Sequence, residues 1–138
     1  MECTRYKGLE PCAQESILRN EFSSIAILNG YLLASPIYDN GIDIILVKRG
    51  AHSHVSYLVQ LKSRFSLNRK YYMKNIYIAF VNRPTGDWYL LSYDRLQHIA
   101  FYIRPSICKT ASWQKHGAYT SKGLSAEMRE ALSPFIFR

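Results

Sequence analysis

Two apolar runs separated by a short polar turn place the strongest constraint on how this chain can fold. Residues 42–48 read IDIILVK, residues 55–65 read VSYLVQLKSRF, and RGAHSH lies between them at 49–54. Apolar and β-branched runs bounded by turn residues are typical of strands. Because the connection is short, the two runs are predicted to pair as an antiparallel hairpin.

Three polar side chains interrupt this hairpin where a buried strand would not favour them. Asp43 lies in the first run, and Gln60 and Lys62 lie in the second. Side chains two residues apart share a face of a strand, so antiparallel pairing can bring Asp43 beside Gln60 and Lys62. Burying these groups without partners would cost several kcal/mol. A cleft that holds a cation removes this objection, since carboxylate and amide oxygens suit Mg²⁺.

Lys62 gives this group of residues a chemical use. Its ammonium can orient or deprotonate an attacking water and offset negative charge in a phosphorane-like transition state. The three residues together therefore predict a site that cleaves phosphodiesters. In the alternative interpretation, Asp43 caps a turn after Gly41, and Gln60 and Lys62 form the solvent face of an edge strand. Their coincidence on two consecutive strands favours the site.

The rest of the chain predicts an α+β fold with a mixed sheet of about five strands flanked by helices. The spacing of Ile17, Leu18, Phe22, Ile25 and Leu28 predicts a first helix over 12–29, which Gly30 follows. Strands are predicted at 31–38, 42–48, 55–65, 75–82 and 87–93, turns at 39–41 and 83–86, a short helix or a loop at 66–74, a short helix at the start of 94–103, and a last helix from the N-cap Ser125 to about Leu132. Residues 104–123 show no clear period. The length of 138 residues predicts a single domain, 1–138.

Composition restricts the compartment and the class of partner. The formal net charge of +8 and the 11 tyrosines favour a polyanionic partner such as nucleic acid, or an acidic membrane surface. No apolar run is long enough to cross a bilayer, and the N-terminal MECTRYKGLEP lacks the apolar segment of a signal peptide. Cys3, Cys12 and Cys108 form no CxxC or Cys/His cluster, so neither a disulfide framework nor a zinc site is expected. We therefore predict a soluble cytoplasmic protein with no membrane partner.

The order of these elements, together with Gly30-Tyr31, Pro36, Asp43 and Gln60-Leu61-Lys62-Ser63, resembles the PD-(D/E)XK nuclease superfamily. That superfamily includes restriction endonucleases, Holliday-junction resolvases and some homing endonucleases, and all three roles stay open. The resemblance covers about residues 12–93, the predicted catalytic core, and leaves 94–138 as a C-terminal extension. It implies a restriction endonuclease-like fold and Mg²⁺-dependent hydrolysis of DNA, with Mn²⁺ as a substitute ion.

The resemblance also implies a role for each residue of the motif. Asp43 matches the metal-binding aspartate, Lys62 matches the catalytic lysine, and Gln60 stands at the position of the second carboxylate. Pro36 lies seven residues before Asp43, which departs from the usual adjacency. Gln60 attracts a metal less than a carboxylate does, so the alternative is a catalytically inactive DNA-binding module of the same fold. Subgroups with Q-x-K resemble active nucleases, however.

A glutamate on the first helix is implied as a further ligand, because family members often carry one that faces the metal. Glu15 and Glu21 are the candidates, and at 100° per residue both border the apolar face of the helix. The distance of Glu15 from Gly30 better resembles the family's spacing, so we favour Glu15 as the catalytic and metal-binding residue. The alternative for each is an ordinary carboxylate on the helix surface.

Basic residues around the motif are candidates for DNA contacts. Residues 62–74, KSRFSLNRKYYMK, hold five Lys or Arg with aromatic residues between them. The predicted phosphate contacts are Arg64, Arg69, Lys70, Lys74 and, in the preceding turn, Arg49, with solvated loops as the alternative. Cutting both strands of a duplex usually requires two sites, so a homodimer or higher homo-oligomer is expected. A small interaction protein whose charge is incidental is the third hypothesis.

Overall fold

A computed structural model describes residues 7–38 and 40–138 of the chain. The described residues form an α+β structure with a six-stranded mixed sheet and a separate two-stranded sheet. The helices are α1 (Pro11–Leu28), α2 (Tyr93–Ile103), α3 (Ala111–His116) and α4 (Ala126–Leu132). The strands are β1 (Leu32–Ala34), β2 (Ile44–Arg49), β3 (His54–Lys62), β4 (Phe65–Asn68), β5 (Ile76–Asn82), β6 (Asp87–Ser92), β7 (Ala118–Ser121) and β8 (Ile136–Phe137). Among the described residues, 3₁₀ turns cover Arg69–Tyr71, Pro105–Lys109 and Ser133–Phe135.

The large sheet has the strand order β1-β2-β3-β5-β6-β8, and β4 pairs with β7 in the small sheet. The predicted hairpin is confirmed, since β2 and β3 pair antiparallel from Ile44–Val59 to Arg49–His54. β5 runs parallel to β3, with Lys62 beside Phe80, whereas the other neighbours in the sheet are antiparallel. Strand β2 therefore begins, and β3 and β5 end, at the same edge of the sheet.

Two cores fill the two faces of this sheet, because successive strand residues point to opposite sides. On one face α1 packs on the sheet through Leu18, Phe22 and Ala26, together with Ile44, Leu46, Val59, Ala79, Val81 and Trp88. On the other face α2, α4 and β4 cover the sheet residues Ile78, Phe80, Tyr89 and Leu91. Trp88, Tyr89 and Tyr93 are all buried in these cores.

Helix α1 agrees with its prediction except at its last turn. Pro11 occupies the first turn, where its missing N–H is not needed, and Asn29 caps the C-terminus ahead of Gly30, whose φ is +85°. Leu28 was assigned to the apolar face, and that prediction is wrong because its side chain is 86% exposed. Ala26 takes the buried position one half-turn earlier.

Several predicted boundaries are wrong, and turn chemistry explains most of them. Strand 31–38 contains only Leu32–Ala34, because Pro36 cannot donate to a strand ladder. Strand 42–48 begins at Ile44, which leaves Asp43 just before it. Strand 55–65 ends at Lys62, and the chain then leaves the sheet to form β4 within the region 66–74 that was assigned to a helix or loop.

The C-terminal third is more regular than its sequence suggests. The helix expected only at the start of 94–103 runs as far as Ile103. The region 104–123, in which no period was found, contains a 3₁₀ turn, α3 and β7, and the Thr110 side chain caps α3 by accepting a hydrogen bond from the Trp113 N–H. The predicted N-cap Ser125 is confirmed, since its side chain accepts a hydrogen bond from the Met128 N–H.

Some predictions fall outside the described residues. The prediction for Cys3 lies there, as do the first six residues of the segment MECTRYKGLEP. Asp39 of the predicted turn at 39–41 lies there too. The single-domain assignment and its division at residue 93 stay predictions. In the described part of the chain no helix combines the length and the hydropathy that crossing a membrane requires.

Candidate functional site

A cavity of about 410 Å³ lies at the edge of the sheet where β2 begins and β3 ends. Its lining comes from α1 (Pro11, Gln14, Glu15, Leu18 and Arg19), from Asp43, from the end of β3 and the residue after it (Gln60, Leu61, Lys62 and Ser63), and from Arg83. The four residues predicted to form a catalytic site, Glu15, Asp43, Gln60 and Lys62, therefore border one space. Glu21, the other helix candidate, is half-buried and is not part of this lining.

Main-chain contacts hold Asp43 against the end of β3. Its backbone N–H donates to the Val59 carbonyl at 2.9 Å, and its Oδ2 accepts a hydrogen bond from the Leu61 N–H at 2.8 Å. Strand pairing stops at Ile44–Val59, so the Leu61 N–H has no strand carbonyl on that side, and the carboxylate takes its place. The Asp43 side chain is only 15% exposed. The backbone thus fixes one carboxylate oxygen of Asp43. The register of the hairpin, continued by one residue, puts Asp43 opposite Gln60.

Gln60 contributes a buried oxygen that has no hydrogen-bond partner among the described residues. This atom is the side-chain carbonyl oxygen Oε1. Leaving a buried acceptor unpaired costs about 1–3 kcal/mol, and the large majority of buried side-chain polar atoms are paired. The Asn82 Oδ1 at the end of β5 is buried and unpartnered in the same way. Of these two atoms, only that of Gln60 belongs to a residue of the cavity lining, which makes Gln60 a candidate cation ligand.

The ammonium of Lys62 lies near an aromatic ring at the same edge. Its Nζ is 5.8 Å from the centroid of the Tyr71 ring, and the Nζ of Lys70 is 5.1 Å from the same centroid. A cation near the face of an aromatic ring within about 6 Å is attracted by the ring. Lys62 is half-buried whereas Lys70 is exposed, so the ring of Tyr71 lies near one lysine of the cavity and one lysine of the surface.

The ring of Tyr71 packs against the buried ring of Tyr93. The two rings meet edge to face with centroids 5.6 Å apart. The Tyr93 hydroxyl donates to the Gln97 Oε1 at 2.7 Å and accepts from the Asn68 N–H at 2.9 Å. Burial raises the pKa of the Tyr93 hydroxyl well above 10.0, so it stays protonated and keeps this donor bond at neutral pH. The ring next to Lys62 therefore belongs to a rigid, buried network.

The oxygen donors of the cavity fit a small hard cation. Glu15, Asp43 and Gln60 offer two carboxylates and one amide oxygen, which are the ligand types that Mg²⁺ and Mn²⁺ prefer. A volume of about 410 Å³ is many times the roughly 30 Å³ of one water, so a hydrated cation and a phosphate group can enter together. No group of three His, Cys, Asp or Glu suited to a metal occurs among residues 7–38 and 40–138.

Two arginines in the lining were missed by the sequence analysis. The Arg19 Nη1 donates to the Asp43 carbonyl at 3.0 Å, and its Nη2 lies 3.9 Å from the Asp43 Oδ1. The Arg83 Nε donates to the Ser63 carbonyl at 3.0 Å. Both had a usable signal. Arg19 follows Glu15 by four residues and so shares its helix face, and Arg83 directly follows β5, which ends beside β3.

These arginines change the electrostatics of the cavity. Three cationic side chains, Arg19, Lys62 and Arg83, face two carboxylates, Glu15 and Asp43, which leaves one positive charge in excess. A cation site alone would favour the opposite balance, because a divalent ion is repelled by like charge. The lining instead suits a cation and an anion together, such as a metal ion and a phosphate.

The predicted DNA contacts divide between the two ends of the sheet. Arg64 is half-buried in the break between β3 and β4, and Arg69 and Lys70 are exposed in the 3₁₀ turn that follows β4. These three lie on the chain segment that begins at the cavity. Arg49 is exposed at the opposite end of β2, and Lys74 is exposed just before β5 begins. None of the five lines the cavity itself.

Comparison with protein-family models, with curated proteins and with solved structures finds no match to this chain. The shared ancestry implied by the motif thus has no independent support from these comparisons. The chemistry of the cavity, and the arrangement of the residues around it, are the grounds on which a function can be argued.

Proposed function

We propose that the protein is a Mg²⁺-dependent DNA endonuclease that hydrolyses phosphodiester bonds at this cavity. The observation that carries the proposal is the buried, unpartnered side-chain oxygen of Gln60, a residue of the lining that also contains Asp43, Glu15 and Lys62. A structural role for Gln60 would be expected to provide a donor for that oxygen. We assign the fold to the restriction endonuclease-like group as part of the same proposal.

Each residue of the lining has a distinct task in this proposal. Asp43, Gln60 and Glu15 would hold the cation through their oxygens. A bound divalent cation lowers the pKa of water and stabilises negative charge on the phosphate. Lys62 donates hydrogen bonds from its ammonium to the attacking water or to a phosphate oxygen, so positive charge is in place as negative charge develops. Tyr71 keeps that ammonium at the edge of the cavity.

The DNA would follow the basic segment that leaves the cavity. Arg64, Arg69 and Lys70 lie on that segment, and phosphate contacts of this kind position a duplex without reading its sequence. The formal net charge of +8 adds a general attraction for polyanions. Cleavage of both strands would need a second site, so we expect a homodimer or a higher homo-oligomer.

A cleavage assay on purified protein tests the proposal. Supercoiled, branched and single-stranded DNA are incubated with Mg²⁺ or with Mn²⁺, and products are resolved on gels. We expect cleavage by the wild type and a loss of at least about 100-fold in the Asp43→Asn variant, because one cation ligand loses its charge. Glu127→Gln removes a carboxylate exposed on α4 and should cut at the wild-type rate. Equal cleavage by Asp43→Asn and the wild type would show that this cavity is not the active site.

The second candidate is a catalytically inactive DNA-binding module of the same fold. The specific observation in its favour is that an amide, Gln60, stands where a carboxylate would attract a metal more strongly. The same assay separates the two candidates. Binding of duplex DNA at about 0.1 M salt or below, with no cleavage in Mg²⁺ or Mn²⁺, would favour the module. Absence of both activities would favour the third hypothesis, an interaction protein whose charge is incidental.

A further inference from the structure

The contact between Arg19 and Asp43 places a cation where the proposed metal would bind. The Arg19 Nη2 lies 3.9 Å from the Asp43 Oδ1, and its Nη1 is anchored on the Asp43 main-chain carbonyl at 3.0 Å. The other carboxylate oxygen, Oδ2, is held by the Leu61 N–H. Arg19 therefore acts as counter-ion to the oxygen of Asp43 that the backbone leaves available.

A metal ion bound by Asp43 would have to share that oxygen with a guanidinium. Like charges at such distances repel, and the repulsion is doubled for a divalent ion. The excess of positive charge in the lining strengthens this effect, since Lys62 and Arg83 add to it. A cation alone should thus bind weakly, even though the oxygen donors suit it.

A phosphate group in the cavity reverses this balance. The planar fork of a guanidinium matches two oxygens of a phosphate as well as those of a carboxylate. The Arg19 side chain is about one third exposed, so a phosphate in the cavity can reach it. Arg83 borders the same space, with its Nε fixed on the Ser63 carbonyl. A DNA phosphate in the cavity would therefore meet two guanidinium groups and would draw Arg19 away from Asp43.

We propose that Arg19 couples metal binding to DNA binding: it neutralises Asp43 while the cavity is empty and transfers to a DNA phosphate when the substrate enters. This inference rests on the proposed function of the cavity. Its consequence is that the site takes up a divalent cation efficiently only when DNA is present. Arg19 is here a positioning residue, because it acts through Asp43 and the phosphate.

Calorimetric titration with Ca²⁺ alone, and with Ca²⁺ in the presence of a mixed-sequence duplex, tests the coupling without relying on cleavage. Ca²⁺ takes oxygen ligands as Mg²⁺ does, and gels run afterwards verify that the DNA is intact. We expect Arg19→Gln to bind Ca²⁺ alone about tenfold more tightly than the wild type, because a like charge has been removed. We expect DNA to raise Ca²⁺ affinity about tenfold or more in the wild type and no more than about threefold in Arg19→Gln.

Two further variants serve as controls. Arg19→Lys keeps the charge but loses the fork, so its Ca²⁺ affinity without DNA should stay within about twofold of the wild type while the effect of DNA falls. It also keeps the test available if Arg19→Gln does not fold. Arg129→Gln removes an exposed arginine on α4 and controls for the change in net charge. It should leave both Ca²⁺ affinity and the effect of DNA unchanged.

The outcomes separate this inference from the proposed function. If the wild type cleaves DNA but Arg19→Gln matches it in Ca²⁺ affinity with and without DNA, the coupling is wrong and the nuclease assignment stands. The same conclusion follows if Arg129→Gln reproduces the effect of Arg19→Gln. If the wild type neither cleaves DNA nor binds Ca²⁺ with DNA present, both the coupling and the metal site are wrong.

Discussion

Lys48 and Lys62 make the same local interaction at opposite ends of one hairpin. The Lys48 Nζ is 5.3 Å from the centroid of the Tyr31 ring, and the Lys62 Nζ is 5.8 Å from that of Tyr71. Lys48 pairs with Val55 on β3, so the two lysines are seven strand residues apart, or about 23 Å at ~3.3 Å per residue. Residue type and aromatic partner are therefore matched, and only the surroundings differ.

The surroundings decide which lysine can perform chemistry. Lys48 is exposed beside a turn whose charged residues are also exposed, whereas Lys62 is half-buried and lines the same cavity as Asp43 and Gln60. Charge at the turn end is solvated and screened, whereas the charges of Asp43 and Lys62 at the cavity end are partly buried and are screened less. A basic residue near an aromatic ring is thus a weak indication of function, and its neighbours carry the information.

Removing each lysine gives the largest expected contrast between the two ends. Lys62→Ala should lower the rate of DNA cleavage by at least about 100-fold, because charge stabilisation at the phosphate is lost. Lys48→Ala should stay within about twofold of the wild type. Each variant loses one cation–π contact worth about 0.5–1 kcal/mol at most, so their thermal stabilities should be similar. Equal cleavage by Lys62→Ala and Lys48→Ala would remove the distinction between the two ends.

The next largest expected effect is a change in the free energy of unfolding when Gln60 is replaced. Gln60→Leu should raise the free energy of unfolding by about 1–2 kcal/mol, because a buried acceptor without a partner is replaced by an apolar group of similar size. Denaturant unfolding without added metal measures this. Ser56→Ala, exposed nearer the turn end of the same strand, should change stability by less than about 0.5 kcal/mol.

Gln60→Leu also tests whether the cavity binds a metal, when unfolding is measured with Mg²⁺ added. Mg²⁺ at ten times its dissociation constant should stabilise the wild type by about 1.4 kcal/mol and should not stabilise Gln60→Leu. A loss of stability in Gln60→Leu without metal would mean that the amide oxygen has a structural partner in solution. The oxygen would then no longer indicate a cation site.

DNA affinity gives the smallest expected contrast. Lys70→Ala removes a lysine beside the Tyr71 ring, which Lys62 also approaches. It should weaken binding to a mixed-sequence duplex about threefold and lower the magnitude of the slope of log K against log[salt] by about 0.9, the loss of one phosphate contact. Arg49→Ala, at the turn end, should weaken binding less than twofold, although Arg49 is among the DNA contacts predicted from the sequence. Fluorescence anisotropy over a series of salt concentrations measures both. Equal losses would extend the DNA path along the whole hairpin.

The sequence predicts the centre of the fold better than its edges. Apolar, β-branched runs and a short turn were sufficient for the β2–β3 hairpin, because both signals are local and both are strong. The shortening of β1 and the appearance of β4 depended on a proline and on a distant partner, β7, which no local pattern contains. The α3 helix is set by the Thr110 cap and by Gly117, a turn signal that is easily lost among other small residues.

The candidate site shows a similar division. Asp43, Gln60 and Lys62 could be selected because polar residues inside apolar runs are locally visible. The preference for Glu15 over Glu21 came from a family resemblance. In the structure, Glu15 is part of the cavity lining and Glu21 is not. Arg19 and Arg83 were missed because a surface arginine is ordinary until the ends of β3 and β5 are known to meet. The burial of one amide oxygen depends on three-dimensional packing and has no signature in the sequence.

The hydrogen bond from the Leu61 amide to the Asp43 carboxylate has a spectroscopic consequence. Most amide protons of a sheet are hydrogen-bonded to a backbone carbonyl, so their chemical shifts depend little on the state of a side chain. The Leu61 amide proton is instead bonded to a carboxylate beside the cavity, so its chemical shift depends on the charge density of that carboxylate. The nitrogen-15 resonance of this amide would shift whenever a cation or a phosphate changes the contacts of that carboxylate, so one backbone signal of nitrogen-15-labelled protein can report occupancy of the cavity during a titration.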